Sequence, residues 1–137
     1  MTHVLRSATA ADAPAVLQLW RAADAEPTHT DDVQSLVRLV AHDPDALILA
    51  EHDGHVVGSV IAGWDGWRGS IHRLVVAPER RRRGLGQQLL AAAEQRLAAA
   101  GATRAQAIVV ATDSQATSFW KATGWEQQVH RARFVRG

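Results

Sequence analysis

The sequence contains neither cysteine nor tyrosine among its 137 residues. Without cysteine, the chain can form no disulfide, no thiolate nucleophile and no cysteine-ligated metal site. No apolar run approaches the roughly 20 residues that a membrane-spanning helix needs. The N-terminus also lacks the basic, apolar and cleavable pattern of a secretory signal. We therefore expect a cytoplasmic protein without a membrane partner.

An excess of charge of one sign is missing as well, since the formal net charge is only +1. This balance argues against a general nucleic-acid or membrane-surface binder, whose basic residues would outnumber its acidic ones. Hydrophobic residues at 47% and charged residues at 21% are typical of a globular protein. The length suits a single core, so we predict one domain over residues 1–137.

The N-terminal half is predicted to be mixed helix and strand. After a strand at His3–Arg6, a first helix runs from a cap at Thr9 to about Ala23, and a second begins at Asp31 or Asp32 and ends before Pro44. An antiparallel meander follows, with strands at Leu47–Ala50, His55–Ala62 and Ile71–Val76. The turns of the meander are predicted at Asp53-Gly54 and over Trp64–Gly69.

The C-terminal half begins with a helix over about Leu85–Ala100, which Gly101 would end. A strand at Ala105–Val110 should run parallel to the previous sheet strand, because a helix connects them. Asp113 can cap a helix that continues to Thr123, with Ala116, Phe119 and Trp120 facing inward, and Trp125–Val135 is predicted to form one or two final strands. The fold class is therefore α/β with a mixed sheet.

The stretch Val75–Leu90 joins an apolar strand end to four arginines and then to two glycines that open a helix. Glycine allows close approach of a ligand to the backbone. The unpaired amides and the dipole of a helix N-terminus favour an anion, and arginine keeps its positive charge. A run such as Arg80–Arg83 could also be a solvated loop or a nucleic-acid patch. We interpret the stretch as a site for the pyrophosphate of a cofactor.

Two motifs in this order resemble those of the GCN5-related N-acetyltransferase (GNAT) superfamily. Residues 81–86, Arg-Arg-Arg-Gly-Leu-Gly, match its Gln/Arg-x-x-Gly-x-Gly/Ala signature between a strand and a helix. Residues 113–125, Asp-Ser-Gln-Ala-Thr-Ser-Phe-Trp-Lys-Ala-Thr-Gly-Trp, resemble its closing motif Asn-x-x-Ala-x-x-Leu/Phe-Tyr-x-x-x-Gly-Phe with every spacing kept. The order of elements over essentially the whole chain is that of a small standalone member.

The resemblance implies a fold in which the fourth and fifth strands splay into a V that holds acetyl-CoA. Backbone groups of Leu74, Val75 and Val76 would pair with the pantetheine arm. The remaining cofactor-binding residues that it implies are Arg81, Arg82, Arg83, Gly84, Leu85, Gly86 and Gln87 at the pyrophosphate, with Asp113, Phe119 and Trp120 from the closing motif. The activity implied is direct transfer of an acetyl group to a primary amine of a small molecule, peptide or protein, in a ternary complex.

Three positions differ from what relatives use. Trp120 stands where relatives often carry the tyrosine that protonates the departing CoA thiolate, and an indole N–H is no useful acid. Since the chain has no tyrosine, water or the substrate would have to supply that proton. Asp113 replaces an asparagine that contacts the cofactor arm. Ile108 stands where some protein N-terminal acetyltransferases carry a glutamate base, which makes that acceptor class less favoured.

The acceptor amine must lose a proton before it attacks, because an alkyl amine is mostly protonated at pH 7. His72 is the first candidate base, since imidazole titrates near neutrality and the alternation of strand residues places it on one face with Leu74 and Val76. Asp65 is the second. Solvent or the substrate itself stays possible.

The oxyanion of the tetrahedral intermediate could be held by the amide of Val76. Trp64, Trp67 and Trp20 are candidates for the wall of an acceptor pocket, although they could equally be ordinary core or surface aromatics.

The sequence also allows other functional interpretations. A non-catalytic acyl-CoA-binding regulatory module fits the missing tyrosine, whereas a nucleic-acid-binding domain fits poorly with the near-neutral charge. His52 and His55 flank a turn, but they lack a third ligand, so no metal is expected. No nucleic-acid partner is expected either, and a homodimer is possible by analogy with relatives.

Overall fold

The computed structural model describes residues 3–137, which divide into two compact units. The first unit ends at Ala107, and the second is Ile108–Gly137. The interpretation of the chain as one domain over residues 1–137 stays a prediction.

The first unit is built on a five-stranded sheet in the order β1-β2-β3-β4-β5. Neighbouring strands are antiparallel except β4 and β5, which are parallel. This confirms the mixed α/β class with an antiparallel meander and one parallel pair. The strands are β1 (Val4–Ser7), β2 (Leu47–His52), β3 (His55–Trp64), β4 (Gly69–Val76) and β5 (Ala105–Ala107).

Three helices belong to the first unit. They are α1 (Ala13–Ala22), α2 (Val33–His42) and α3 (Leu85–Ala100). The bounds of α3 agree with the prediction, and Gly101 ends the helix in the left-handed conformation that suits glycine. The side chain of Asp32 accepts the Ser35 N–H and so caps α2 at the predicted position.

Helices pack on both faces of the sheet. An ideal Cβ built on Gly58 of β3 would lie 2.8 Å from the Leu89 side chain of α3, so only glycine lets α3 approach this closely. On the opposite face, the buried Trp20 of α1 bonds to Ser59 of the same strand. The core therefore consists of the sheet between α3 and α1.

The strand predicted at Ala105–Val110 is shorter than expected. Its ladder with β4 runs from Gly69 opposite Ala105 to Ile71 opposite Ala107. Ile108 and Val110 are beyond this pairing, and both side chains are exposed. The ladder stops at Ala107 although β4 itself continues to Val76, so the prediction of three further strand residues was wrong.

The second unit contains one helix, α4 (Ser114–Ala122), which Asp113 caps as predicted. Ala116, Phe119 and Trp120 are half-buried. The predicted final strands at Trp125–Val135 are not observed in the described chain. A strand is stable only when another strand pairs with it. No ladder of the sheet in residues 3–137 includes this segment, and the Phe134 side chain is 92% exposed.

Among the helices of residues 3–137, none combines the length and the hydropathy that crossing a bilayer requires.

An ion pair fixes the start of α1 against the sheet. The Arg6 guanidinium of β1 donates two hydrogen bonds of 2.8 Å to the Asp12 carboxylate and a third to Glu51 of β2. Asp12 also accepts the Thr9 N–H at 2.7 Å, which links it to the turn before the helix. The hydrogen bonds from Arg6 hold the pKa of the Asp12 carboxyl well below its usual range.

We predict that Asp12→Asn lowers the free energy of unfolding at pH 7 by about 1–2 kcal/mol, allowing for solvent screening at the Arg6 end. Because the folded pKa is depressed, this contribution is present above the unfolded pKa of about 3.9 and is lost as the pH falls below it. Urea unfolding at pH 7 and pH 3 should therefore show a difference from wild type that shrinks in acid. Glu94→Gln, at an exposed carboxylate of α3, is the control, and a difference that is the same at both pH values would contradict the prediction.

Candidate active site

A β-bulge interrupts β4 near its C-terminal end. Ile61 of β3 is opposite His72 and Ser59 is opposite Val75, so Arg73 and Leu74 together face a single residue of β3. Arg73 has a φ of +51°, in the left-handed region that residues with a side chain avoid. Such a backbone costs roughly 1–3 kcal/mol and persists only where its surroundings hold it.

The bulge changes which residues share a face of β4. Paired residues of antiparallel strands point to the same side, so His72 and Val75 share the face of Ser59, towards α1. Ile71 and Val76 fall on the α3 face. The prediction that His72 shares a face with Leu74 and Val76 was wrong, because the bulge adds one residue and shifts the alternation. His72 is exposed on the α1 side of the sheet.

A buried chain of hydrogen bonds holds the backbone of the bulge. The indole N–H of Trp20 donates to Ser59 Oγ at 2.9 Å, and the Ser59 hydroxyl donates to the Arg73 carbonyl at 2.8 Å. Ser59 is 0% exposed. Each buried polar group in this series of hydrogen bonds therefore keeps its hydrogen-bond partner only while the bulge keeps its shape.

The side chain of Arg73 extends to the loop between α1 and α2, residues 23–32. Its guanidinium donates to the Glu26 carbonyl at 2.8 Å and to the Asp31 carboxylate, and it is 5.0 Å from the centre of the Trp20 ring. Trp20 is thus a buried support of this cluster. A role for Trp20 in the wall of an acceptor pocket stays a prediction.

The end of β4 leaves an open edge on the side of β5. Since the ladder between the two strands ends at Ile71, the residues Leu74, Val75 and Val76 lie past its last pair. At these positions, the backbone groups that point away from β3 can form hydrogen bonds with an extended ligand, in the way that they would pair with an added strand. This matches the opening between the fourth and fifth strands that the resemblance implies.

The open edge leads into the arginine–glycine segment before α3. A short 3₁₀ turn at Pro78–Arg80 is followed by Arg81–Arg83, which are exposed. Gly84 has a φ of +78° and is the N-cap of α3, where no side chain accepts a helix amide. By contrast, the side chains of Asp32 and Asp113 accept backbone amides and cap α2 and α4.

The start of α3 therefore presents amide donors to a ligand. The N–H groups of Leu85, Gly86 and Gln87 belong to the first turn of the helix, where no preceding carbonyl is in place to accept them. Hydrogen-bond donors and positive charge at one end of a helix favour the binding of a pyrophosphate.

Asp65 is already engaged in the turn between β3 and β4. Its carboxylate accepts the Trp67 and Arg68 amides at 2.7 Å each, and these hydrogen bonds lower the pKa of Asp65. A lowered pKa makes the Asp65 carboxylate a weaker base.

The two tryptophans of this turn lie far from the open edge. Trp64 ends β3, and Trp67 is 69% exposed with the Arg68 guanidinium 3.9 Å from its ring centre. Leu74 is roughly 16 Å along β4 from Gly69, at about 3.3 Å per residue. The structure does not bring Trp64 and Trp67 together with the predicted cofactor residues.

The closing motif is organised around α4 of the second unit. The Asp113 carboxylate accepts the Ala116 N–H at 3.0 Å. Trp120 makes edge contacts with Phe119 and Trp125, with ring centres 5.9 and 4.8 Å apart. Trp120 is therefore held by aromatic neighbours.

Comparison with known proteins decides the family. The model of the acetyltransferase (GNAT) family matches residues 13–125 and so includes both motifs. The chain belongs to the GNAT family of acetyltransferases. It is 38% identical over 98 residues to an acetyltransferase of Pectobacterium atrosepticum, covering 72% of this chain and 70% of that one.

Solved structures of other GNAT proteins share the fold. The PaiA N-acetyltransferase of Thermoplasma acidophilum in complex with coenzyme A has a TM-score of 0.81 at 16% identity, over 93% of this chain and 92% of that chain. The enzyme AAC(6')-Iy in complex with the bisubstrate analogue CoA-S-monomethyl-acetylneamine has a TM-score of 0.73 at 18% identity, over 100% and 99%. At these identities the likeness supports the GNAT fold.

The cluster around Arg73 was not found from the sequence of this GNAT chain. A positive φ at an arginine leaves no mark in composition or spacing. Ser59 was the one visible signal, because it is a polar residue within the otherwise apolar and glycine-containing run His55–Ala62. A polar residue at a buried strand position must find a hydrogen-bond partner, and here the partners are Trp20 and Arg73.

We predict that Ser59→Ala destabilises the protein by about 1–3 kcal/mol, because it leaves the Trp20 N–H buried without an acceptor. Urea unfolding measures the change, with Ser118→Ala at an exposed position of α4 as the control. Equal stabilities of the two variants would show that the hydrogen-bond chain does not hold the bulge.

Proposed function

We propose that this GNAT enzyme transfers an acetyl group from acetyl-CoA directly to a primary amine, of a small molecule or a peptide, in a ternary complex. The observation that carries the proposal is the open edge of β4, which leads directly into the uncapped N-terminus of α3 beside four arginines. Two structural relatives, one in complex with coenzyme A and one with a CoA-based bisubstrate analogue, support it.

On the donor side, the pantetheine arm and the pyrophosphate of acetyl-CoA each have a suitable counterpart in the first unit. The amide-like pantetheine arm pairs with the backbone of Leu74–Val76, in the manner of an added strand. The pyrophosphate is held by the positive charge and amides of Arg81, Arg82, Arg83, Gly84, Leu85, Gly86 and Gln87. The roles of Asp113, Phe119 and Trp120 towards the cofactor stay predictions of the closing motif.

On the acceptor side, His72 takes the proton of the amine directly or through water. It is exposed on the α1 face of β4, next in sequence to the bulge. The neutral amine attacks the thioester carbonyl, the Val76 amide donates to the oxyanion, and the intermediate collapses to the acetylated amine and the CoA thiolate. Water or the substrate protonates the thiolate. Holding the two reactants in place accounts for a large part of the rate, on the order of 7–11 kcal/mol in favourable cases.

Acetyl-CoA is predicted to raise the melting temperature, since a ligand at about 100 times its Kd stabilises the folded state by roughly 2.7 kcal/mol. Gly86→Glu and Gly84→Glu should abolish the shift, because each places a negative charge where the pyrophosphate binds. Gln95→Glu, an exposed position further along α3, carries the same charge change and should keep the shift. A wild-type protein that acetyl-CoA does not stabilise would overturn the proposed donor.

We expect His72→Gln to lower kcat/KM by about 10²–10⁴ and to remove the rise of kcat/KM with pH near the imidazole pKa, because the base must be neutral to accept a proton. CoA release is followed with the amine that reacts fastest among spermidine, kanamycin, L-lysine and an alanine-initiated peptide. His42→Gln, at the exposed end of α2, is the control.

An unchanged pH profile in His72→Gln would show that another group is the base. Binding of acetyl-CoA without CoA release for all four amines would contradict transfer to amines of these classes.

A further inference from the structure

We propose that Arg73 is a positioning residue, which locks the loop of residues 23–32 against the β4 bulge and thereby shapes the acceptor side of the site. In this role Arg73 touches neither the cofactor nor the acceptor. The effect on acetyl transfer rests on the proposed function, whereas the locking of the loop does not.

The first argument is that one side chain joins three elements. The guanidinium of Arg73 donates to the Glu26 carbonyl at 2.8 Å and to the Asp31 carboxylate, while it lies 5.0 Å from the centre of the Trp20 ring of α1. The side chains of Arg73 and Asp31 are each only 17% exposed. Solvent screens such a pair far less than a surface pair, so it constrains the loop.

The second argument is that Asp31 organises the loop itself. Its carboxylate accepts the Thr28 N–H at 3.0 Å and the Thr28 hydroxyl at 3.1 Å, and its own N–H donates to the Thr28 carbonyl at 3.1 Å. The next residue, Asp32, caps α2. Arg73 therefore holds the turn from which α2 starts, and loss of this tie should loosen the whole loop.

The third argument is the face on which these contacts occur. Trp20 and Ser59 place α1 on the side of β4 that also carries His72, the proposed base. Because Arg73 directly follows His72, the loop that Arg73 holds borders the space through which an amine must approach the proposed base. Its position therefore affects how the acceptor is bound.

A second arginine contacts the start of the same loop. Arg81, from the segment proposed to bind the pyrophosphate, donates to the Ala23 carbonyl at 3.4 Å. A bound pyrophosphate would compete for this guanidinium, because an arginine pairs more strongly with a charged phosphate than with a carbonyl. Arg73 would then be the remaining arginine that ties the loop in the cofactor complex.

Arginine suits this role because its planar fork can donate to two acceptors while it stacks on a ring. Lysine offers a single ammonium and cannot reproduce the set. Glycine removes the side chain and still accepts the positive φ of the bulge. Comparison of Arg73→Gly with Arg73→Lys therefore distinguishes the effect of the side-chain contacts from the effect of the backbone conformation.

Hydrogen exchange of the amides in residues 23–32 tests the tie without any substrate. We expect Arg73→Gly to raise exchange in this loop at least about tenfold over wild type, and Arg73→Lys to give a smaller rise. Arg21→Ala, at an exposed position of α1, should leave it unchanged. Asp31→Asn tests the same tie without changing β4, and it keeps an oxygen for the Thr28 amide. Unchanged exchange in both Arg73→Gly and Asp31→Asn would overturn the proposal.

Kinetics test the consequence for acceptor binding, with the fastest of the four amines named above. We expect Arg73→Gly to raise the KM for that amine at least about tenfold, while the Kd of acetyl-CoA measured by calorimetry stays within about twofold of wild type. A rise of the acetyl-CoA Kd equal to that of the amine KM would show that Arg73 supports the cofactor strand instead. If wild type binds no acetyl-CoA, the proposed function fails while the exchange result still decides whether Arg73 locks the loop.

Discussion

The left-handed backbone of Arg73 is the constraint on which the site depends. A residue with a side chain adopts this conformation at a cost, and here a buried chain from Trp20 through Ser59 to the Arg73 carbonyl holds it. The bulge turns His72 and Val75 to the α1 face and Val76 to the α3 face. One local distortion therefore sets which side chains of β4 lie on the α1 face and which lie on the α3 face.

The donor side depends on backbone geometry more than on side-chain identity. A strand edge past its last pair offers amides and carbonyls in a row, and Gly84 gives α3 an N-terminus without a side-chain cap. The dipole and the first amides of α3 then act together with the arginines. Asp32 and Asp113 cap α2 and α4, whereas α3, the helix proposed to bind the pyrophosphate, begins with glycine.

Elements with local signals and the antiparallel meander were predicted from the sequence, whereas the bulge in β4 and the ends of the strands, which depend on individual residue pairs, were not. The helix Leu85–Ala100 follows from its alanines and leucines and from Gly101, and the cap of α2 from Asp32. The arginine–glycine segment also has a signal that lies within a few residues, and its binding of the pyrophosphate stays a prediction. The bulge at Arg73 was missed because its existence depends on which residues of β3 pair with β4. The prediction of final strands at Trp125–Val135 was wrong. It rested on the pattern of the residues alone, and a strand also needs a neighbouring strand with which to pair.

Acetyl-CoA laid along the edge of β4 and onto the start of α3 is the central claim, and an amide-resolved NMR titration with acetyl-CoA tests it most directly. The resonances of Leu74–Val76 and of Gly84–Gln87 should shift together at one Kd, while those of residues 97–100, at the opposite end of α3, should stay in place. If acetyl-CoA leaves the amide resonances of both Leu74–Val76 and Gly84–Gln87 unchanged, the claim is contradicted.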